Sequence, residues 1–327
     1  MEFRKKVEVP KSELRITHQT KMVLFGSCFA ENIGKQLFEN KFTVNVNPFG
    51  VLYNPASISQ AIKLLQENKV FTEEDIFLNQ GVFRTYFHHS QFSSADKGKF
   101  LQSINEKREK ASADLKEAEV LLVTFGTAYV FNLKETAQVV ANCHKQPSHI
   151  FNRNKLSISE IVFSWTELIE ESLRINPDLK ILFTVSPIRH WKDGAHNNQL
   201  SKATLLLAID ELVNQFPNLY YFPSYEIVLD ELRDYRFYSE DMIHPNDIAI
   251  RYIGEIFNDT YFEKETKTLC DQWQNIVRAI AHRPFNEDTE EHKQFLKQTL
   301  LKLQSIRNKY PYFDCENELI LLESKLS

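Results

Sequence analysis

The 327-residue chain is 43% hydrophobic and 25% charged, with a net charge of -5 and a pI of about 6.1. That composition suits a globular fold and excludes the concentrated positive field that nucleic acid or an anionic membrane surface selects. The length fits one large domain plus an appendage, and no apolar run approaches the roughly 20 residues needed to cross a bilayer.

The first element is the most informative. Lys21-Met-Val-Leu-Phe-Gly26 is a short apolar run, followed by Ser27 and then by Phe29, Ile33 and Leu37 at helical spacing. This predicts a buried strand turning directly into a helix, with Ser27 at the junction. N–H groups at a helix start lack intrahelical partners and carry the positive end of the helix dipole. A serine hydroxyl there can lie beside donors suited to a developing oxyanion. Serine is also a favoured N-cap, and this stretch alone leaves both roles open.

Further along, 42–46 predicts a short strand, broken by Asn47-Pro-Phe-Gly50. A helix is expected over 56–65, a hairpin carrying His88-His89 over 76–89, and a polar amphipathic helix over 96–118. The second buried strand, 119–125, ends in Gly126-Thr127, and 129–144 reads as a hairpin closing on Asn142-Cys-His144. A helix over 157–175 precedes a third core strand, 180–185, which ends at Ser186-Pro187. A polar loop from Arg189 to His196 leads to a helix over 198–215, a fourth core strand over 219–222 and a helix opening at Asn246. Strands alternating with helices predict an α/β fold with a largely parallel, doubly wound sheet. Such sheets bind ligands beyond the carboxyl ends of their strands, where Ser27, Gly126-Thr127 and the Ser186 loop fall. From 263 onward only helices are predicted (266–281, 290–308, 316–325), dividing the chain into an α/β domain, 1–262, and a helical extension, 263–327.

Ser239-Glu-Asp-Met-Ile-His-Pro245 carries the second chemical signal. Asp241 and His244, three apart, share a face if the segment is one helical turn. The carboxylate would then fix the imidazole tautomer and leave the other nitrogen to take a proton from a serine. Cys28, beside Phe29, reads as a structural thiol. No spacing among His88, His89, His144, His190 and His196 fits a zinc site, so no metal is expected. Arg189 and Lys192 suit either an anionic substrate group or plain solvent exposure. Tyr220-Tyr-Phe222 and Arg236-Phe-Tyr238 read as core in preference to a sugar platform. The cysteines Cys28, Cys143, Cys270 and Cys315 lack a Cys-x-x-Cys pair and form no recognisable disulfide framework. No apolar segment follows Met1-Glu-Phe-Arg-Lys-Lys6, so a cytoplasmic location without signal peptide is expected.

Gly26-Ser-Cys-Phe-Ala30 matches the motif that names the GSCFA family, a group related to the SGNH/GDSL esterases. The resemblance extends through Asn47-Pro-Phe-Gly-Val-Leu-Tyr-Asn-Pro55, Thr124-Phe-Gly-Thr-Ala128, Ala141-Asn-Cys-His-Lys145, 186–196 and Asp241-Met-Ile-His-Pro245. It implies a flavodoxin-like three-layer α/β/α fold, with Ser27 as nucleophile, His244 as base and Asp241 as its orienter. The N–H groups of Ser27 or Cys28 and of Gly50 would hold the oxyanion, with Gly126, Arg189 and His190 on the substrate side. The Gly-x-Asn-Asp block of that superfamily is not matched: Gly126-Thr-Ala128 stands there, and Asn142, His144 or Thr127 is expected to supply the missing donor. Gly26 stands where the superfamily has an acid before its serine. The implied activity is hydrolysis of an O-acyl (acetyl) ester of a carbohydrate or another small metabolite, without cofactor and with neither nucleic acid nor membrane as partner. A binding or scaffolding module that keeps the fold, or acyl transfer by the same residues, are the alternatives. The unmatched block favours the module.

Overall fold

Residues 4–286 and 289–326 are described by the structure, a computed structural model; the outermost residues of the two expected units, 1–3 and 327, lie outside them. In chain order the elements are β1 (Met22–Gly26), α1 (Cys28–Glu39), β2 (Val44–Val46), α2 (Pro55–Gln66), β3 (Phe77–Asn79), β4 (Val82–Arg84), α3 (Lys97–Lys116), β5 (Val120–Phe125), β6 (Tyr129–Leu133), β7 (Val139–Val140), β8 (Phe151–Lys155), α4 (Ile158–Ile175), β9 (Lys180–Val185), α5 (Gly194–Gln215), β10 (Leu219–Phe222), α6 (Ser224–Glu226), α7 (Asp247–Tyr261), α8 (Lys264–Ala281), α9 (Glu290–Lys309) and α10 (Glu316–Leu326).

The main sheet has the order β10-β9-β5-β1-β2, and every neighbouring pair is parallel. Taken in chain order its five strands lie 2-1-3-4-5, the flavodoxin-like doubly wound arrangement, so the expected three-layer α/β/α fold is what the chain forms. Alternation of side chains along the strands explains why both faces are covered. Val23, Phe25, Leu121, Val123, Ile181 and Phe183 point into one apolar cluster with α2, α3, α4 and α5. Met22, Leu24, Val120, Leu122 and Leu182 point into the other, with α1 and α7. Trp165 of α4 anchors the first cluster, packing edge-on against Phe125 and Phe183 with centroids 5.0 and 5.3 Å away. Its indole N–H donates to Pro55 O at 3.2 Å.

Two small antiparallel sheets sit outside this frame, β3-β4 and β7-β6-β8. The expected hairpin over 129–144 gains β8 as a third strand, a strand that periodicity could not announce. Phe151 alone of its five residues is buried, and Asn152, Arg153, Asn154 and Lys155 are exposed. Helices α8 to α10 enclose an apolar cluster of their own, including Leu269, Trp273, Leu303, Phe313 and Leu322. They attach to the end of α1: Trp273 Nε1 donates to Glu39 O at 2.8 Å, Gln274 Nε2 donates to Asn40 Oδ1 at 2.8 Å, and Lys41 pairs with Glu318 at 2.9 Å.

Three buried histidines, His18, His88 and His144, and the partly buried His190 are held as neutral groups. Burial holds His18, His144 and His190 down to about 4 and His88 to about 3. An unfolded chain protonates these rings near pH 6.5, taking up protons that the native state refuses. Their contribution is therefore complete above the unfolded value and is lost as pH falls toward 4. For His88 and His190 the loss is expected to be on the order of 2 kcal/mol each. A thermal midpoint that stays level between about pH 7 and pH 4.5 would contradict this.

Candidate active site

Gly26 ends β1 at φ 149°, where a Cβ would lie 2.4 Å from Thr124 O, so only glycine lets β1 close against β5 there. Its N–H donates to Asn47 Oδ1 at 2.8 Å. The chain then enters α1 through Ser27, whose Oγ accepts from Phe29 N at 3.3 Å and caps the helix. The backbone N–H groups of Ser27 and Cys28 donate to no described residue. Ser27 thus caps α1 and also lies beside two uncommitted donors. It is only 1% exposed, so the capping geometry leaves it under its neighbours rather than open to solvent.

Those neighbours come from the switch point of the sheet, where β1 and β5 are adjacent and the strand order reverses. A Cβ on Gly126, just after β5, would lie 3.0 Å from Tyr53 O, 3.2 Å from His190 Nε2 and 3.6 Å from Ser27 Cβ. The segments that follow β1, β2, β5 and β9 therefore meet at Gly126. The His190 ring stands edge-on to Tyr53 with centroids 5.6 Å apart, and the His190 backbone N–H donates to Asn198 Oδ1 at 2.9 Å. Burial first, and then the charges of Lys202, Arg153 and His244, keep its imidazole neutral. Burial raises the Cys28 thiol above its ordinary value, with Tyr53 Oη 3.9 Å from Sγ opposing. A protonated thiol is a poor nucleophile, which fits the structural reading of Cys28.

Asp241 and His244 lie in a turn, not on the helical turn that their spacing suggested. Met242 takes φ 58°, and Asp241 Oδ1 accepts from Ile243 N at 2.9 Å and His244 N at 3.0 Å. This wraps the loop round the carboxylate, leaving Oδ2 to meet His244 Nδ1 at 2.5 Å. The two backbone bonds and then the imidazole hold the Asp241 carboxyl down to about 2. Both side chains remain about half exposed. The Arg189 guanidinium donates to Met242 O, which ties this loop to the one carrying His190. Ser27 and His244 are not hydrogen-bonded to each other among the described residues.

Several expected oxyanion donors are committed elsewhere. Gly50 N donates to Asn47 O at 2.7 Å, and the N–H groups of Gly126 and Thr127 both donate to Tyr53 O, at 2.8 and 2.9 Å. Thr127 Oγ1 lies 3.1 Å from Ser201 Oγ and accepts from Tyr129 N. The ring of His144 is held by Thr85 O at 2.7 Å and by Arg84 at 3.1 Å, inside the packing of the small sheets. Asn142 Oδ1 accepts from His144 N at 2.8 Å, closing a local turn. The polar atoms of the hairpin serve its own geometry, and of the residues named from the sequence only His190 brings a side-chain nitrogen to Gly126.

Two residues at the site escaped the sequence reading. Tyr53 lies inside the Asn47–Pro55 motif, but nothing in its spacing shows that its carbonyl receives both N–H groups after β5. Lys202 is more legible in hindsight. Asn198, Ser201, Lys202 and Leu205 follow i, i+3, i+4, i+7 on α5 and all are buried, so a polar stripe occupies a core-facing surface. Lys202 Nζ donates to Gly126 O and to Ser186 O, 2.6 Å each, joining the ends of β5 and β9. Ser201 Oγ accepts from Ala128 N at 2.7 Å.

The model of the GSCFA family matches residues 21–257, and that of the GSCFA domain protein C-terminal domain matches residues 273–327. The chain belongs to the GSCFA family. Among solved structures it is similar to a carbohydrate esterase family 3 protein from Talaromyces cellulolyticus, at 11% identity and a TM-score of 0.36 over 77% of this chain and 99% of that one. A family 3 carbohydrate esterase of Clostridium thermocellum is similar at 11% identity and a TM-score of 0.34, over 81% of this chain and 100% of that one. No curated protein matches. Among the described residues, no helix is long and apolar enough to cross a membrane.

Proposed function

We propose that the protein is a serine hydrolase acting on an O-acyl ester, most simply an acetyl ester, of a carbohydrate or another small metabolite. Ser27 attacks the carbonyl, His244 takes its proton and returns it to the leaving oxygen, and Asp241 holds His244 by Nδ1 so that Nε2 faces the reaction. The uncommitted N–H groups of Ser27 and Cys28 and a neutral His190, in its Nε2–H tautomer, stabilise the oxyanion. His190 takes the place that the missing asparagine leaves. The observation that carries this reading is the Asp241–His244 bond at 2.5 Å, on a loop that Arg189 ties to the His190 loop. Because Ser27 is 1% exposed, turnover requires the side chains flanking it to move aside and the His244 loop to draw in. The reading also places the protein in the cytoplasm and divides the chain at 262/263, a boundary supported by the separate apolar cluster of α8 to α10.

The test is a fluorophosphonate probe together with short-chain aryl esters. Labelling at Ser27 and turnover that His244→Ala lowers by about 10³-fold or more are expected. A protein inert toward both, with His244→Ala indistinguishable from wild type, would favour the binding module suggested by the unmatched Gly126-Thr-Ala128 block.

A further inference from the structure

Arg189 sits among three aromatic rings at the rim of this site. Its guanidinium carbon lies 5.0 Å from the ring centre of Tyr238, 5.3 Å from Trp191 and 5.9 Å from Tyr235. Tyr235 and Tyr238 are themselves 5.6 Å apart. Phe237 and Tyr238 are half-buried and pack against the core, in line with the expectation for 236–238, whereas their neighbours Trp191 and Tyr235 are 52% and 62% exposed. Exposed rings scattered singly are ordinary, but here three gather on one guanidinium beside a polar site. The cluster straddles both loops of the candidate site. Trp191 follows His190, and Tyr238 bridges to Pro245, next to His244.

The geometry points to a carbohydrate-ring subsite formed by Trp191 and Tyr235 around Arg189, an inference that rests on reading Ser27 and His244 as the reacting centre. A pyranose has a C–H-rich face that suits a stiff aromatic ring and a rim of hydroxyls that needs nearby donors and acceptors. The Trp191 indole N–H and the Tyr235 and Tyr238 hydroxyls make no hydrogen bond to a described residue, and Arg189 Nε is buried without a partner. Arg189 orients the rings through its cationic contacts and keeps further donors beside them. A quaternary ammonium ligand would meet a cation already seated on the aromatic faces. An acyl chain would need a continuous apolar groove, whereas this surface is interrupted by the Arg189 guanidinium.

The chain carries its own reporter. Of its three tryptophans, Trp165 and Trp273 are buried and Trp191 is exposed. Ser27→Ala protein is titrated with cellotetraose, mannotetraose and N-acetylchitotetraose while emission and acrylamide quenching are followed. At least one sugar is expected to shift the emission to the blue and protect it from quencher, saturably. Tyr235→Ala, with Trp191 retained and the thermal midpoint checked, is expected to weaken that binding by about tenfold. In protein with Ser27 intact, the same change should lower the kcat/KM ratio of cellobiose octaacetate over p-nitrophenyl acetate by a similar factor. Emission indifferent to all three sugars overturns the subsite whether or not aryl acetate is hydrolysed, and in a protein that hydrolyses both esters a ratio unchanged by Tyr235→Ala does the same. Saturable protection of Trp191 in a protein that hydrolyses neither ester upholds the subsite and removes the hydrolase reading instead.

Discussion

Replacing Ser27 with alanine is expected to lower kcat/KM for a short-chain aryl acetate by about 10⁴-fold or more, since a nucleophile and its base act as one unit. The same change removes the N-cap of α1, which costs about 0.5–2 kcal/mol in general. The capping bond here is 3.3 Å long, so the lower end of that range is expected. Ser27→Gly separates the two roles, because glycine caps within a few tenths of a kcal/mol of serine but has no hydroxyl. Activity and thermal midpoint measured on both variants decide the matter. Loss of activity in both, with the midpoint preserved in Ser27→Gly, assigns the hydroxyl to chemistry. A midpoint that falls in Ser27→Ala, recovers in Ser27→Gly and is accompanied by no change in turnover assigns it to the helix alone.

Much of this fold could be read from the sequence because its core strands are buried on both faces. Met22–Gly26, Val120–Phe125 and Lys180–Val185 are nearly continuous apolar runs, each stopped by a small or polar residue at the carboxyl end of the sheet. That placed Ser27, Gly126 and the Ser186 loop on one edge. What stayed hidden depends on contacts remote in sequence. Strand β8 is polar and is held by its pairing with β6, from Tyr129↔Lys155 to Leu133↔Phe151, which no local pattern encodes. The backbone N–H groups expected to be free after β5 have partners for a related reason. A glycine after a strand looks like a free N–H, but Tyr53 O takes the Gly126 and Thr127 donors from 73 and 74 positions away. Asp241 and His244 were correctly paired from their spacing, although a turn with Met242 at positive φ brings them together in place of a helix.

Lys202 joins these pieces, and its replacement should have the next largest effect. Its Nζ is the only partner drawn to both Gly126 O and Ser186 O among the described hydrogen bonds, so Lys202→Met leaves two carbonyls buried and unpaired. Each such group costs about 1–3 kcal/mol. Removing the amine also relieves its own burial, so a net loss of about 2–4 kcal/mol is expected. Burial pushes the Lys202 ammonium down to about 7, against about 10.4 for an unfolded chain. Between those values the unfolded state holds the extra proton, so this group makes stability rise with pH. The gap in thermal midpoint between wild type and Lys202→Met should therefore widen from about pH 7 to pH 10, and a constant gap would show that Lys202 keeps its proton throughout. Turnover should fall as well, at temperatures where both proteins are folded. The carbonyls that Lys202 holds begin the loops bearing Gly126 and His190, and Asn198 and Ser201 on the same stripe of α5 hold His190 N and Ala128 N. A protein that lost stability but kept full turnover would show that the loops find their places without it. The expected combined loss makes the buried stripe of α5 the means by which separate strand ends become one site.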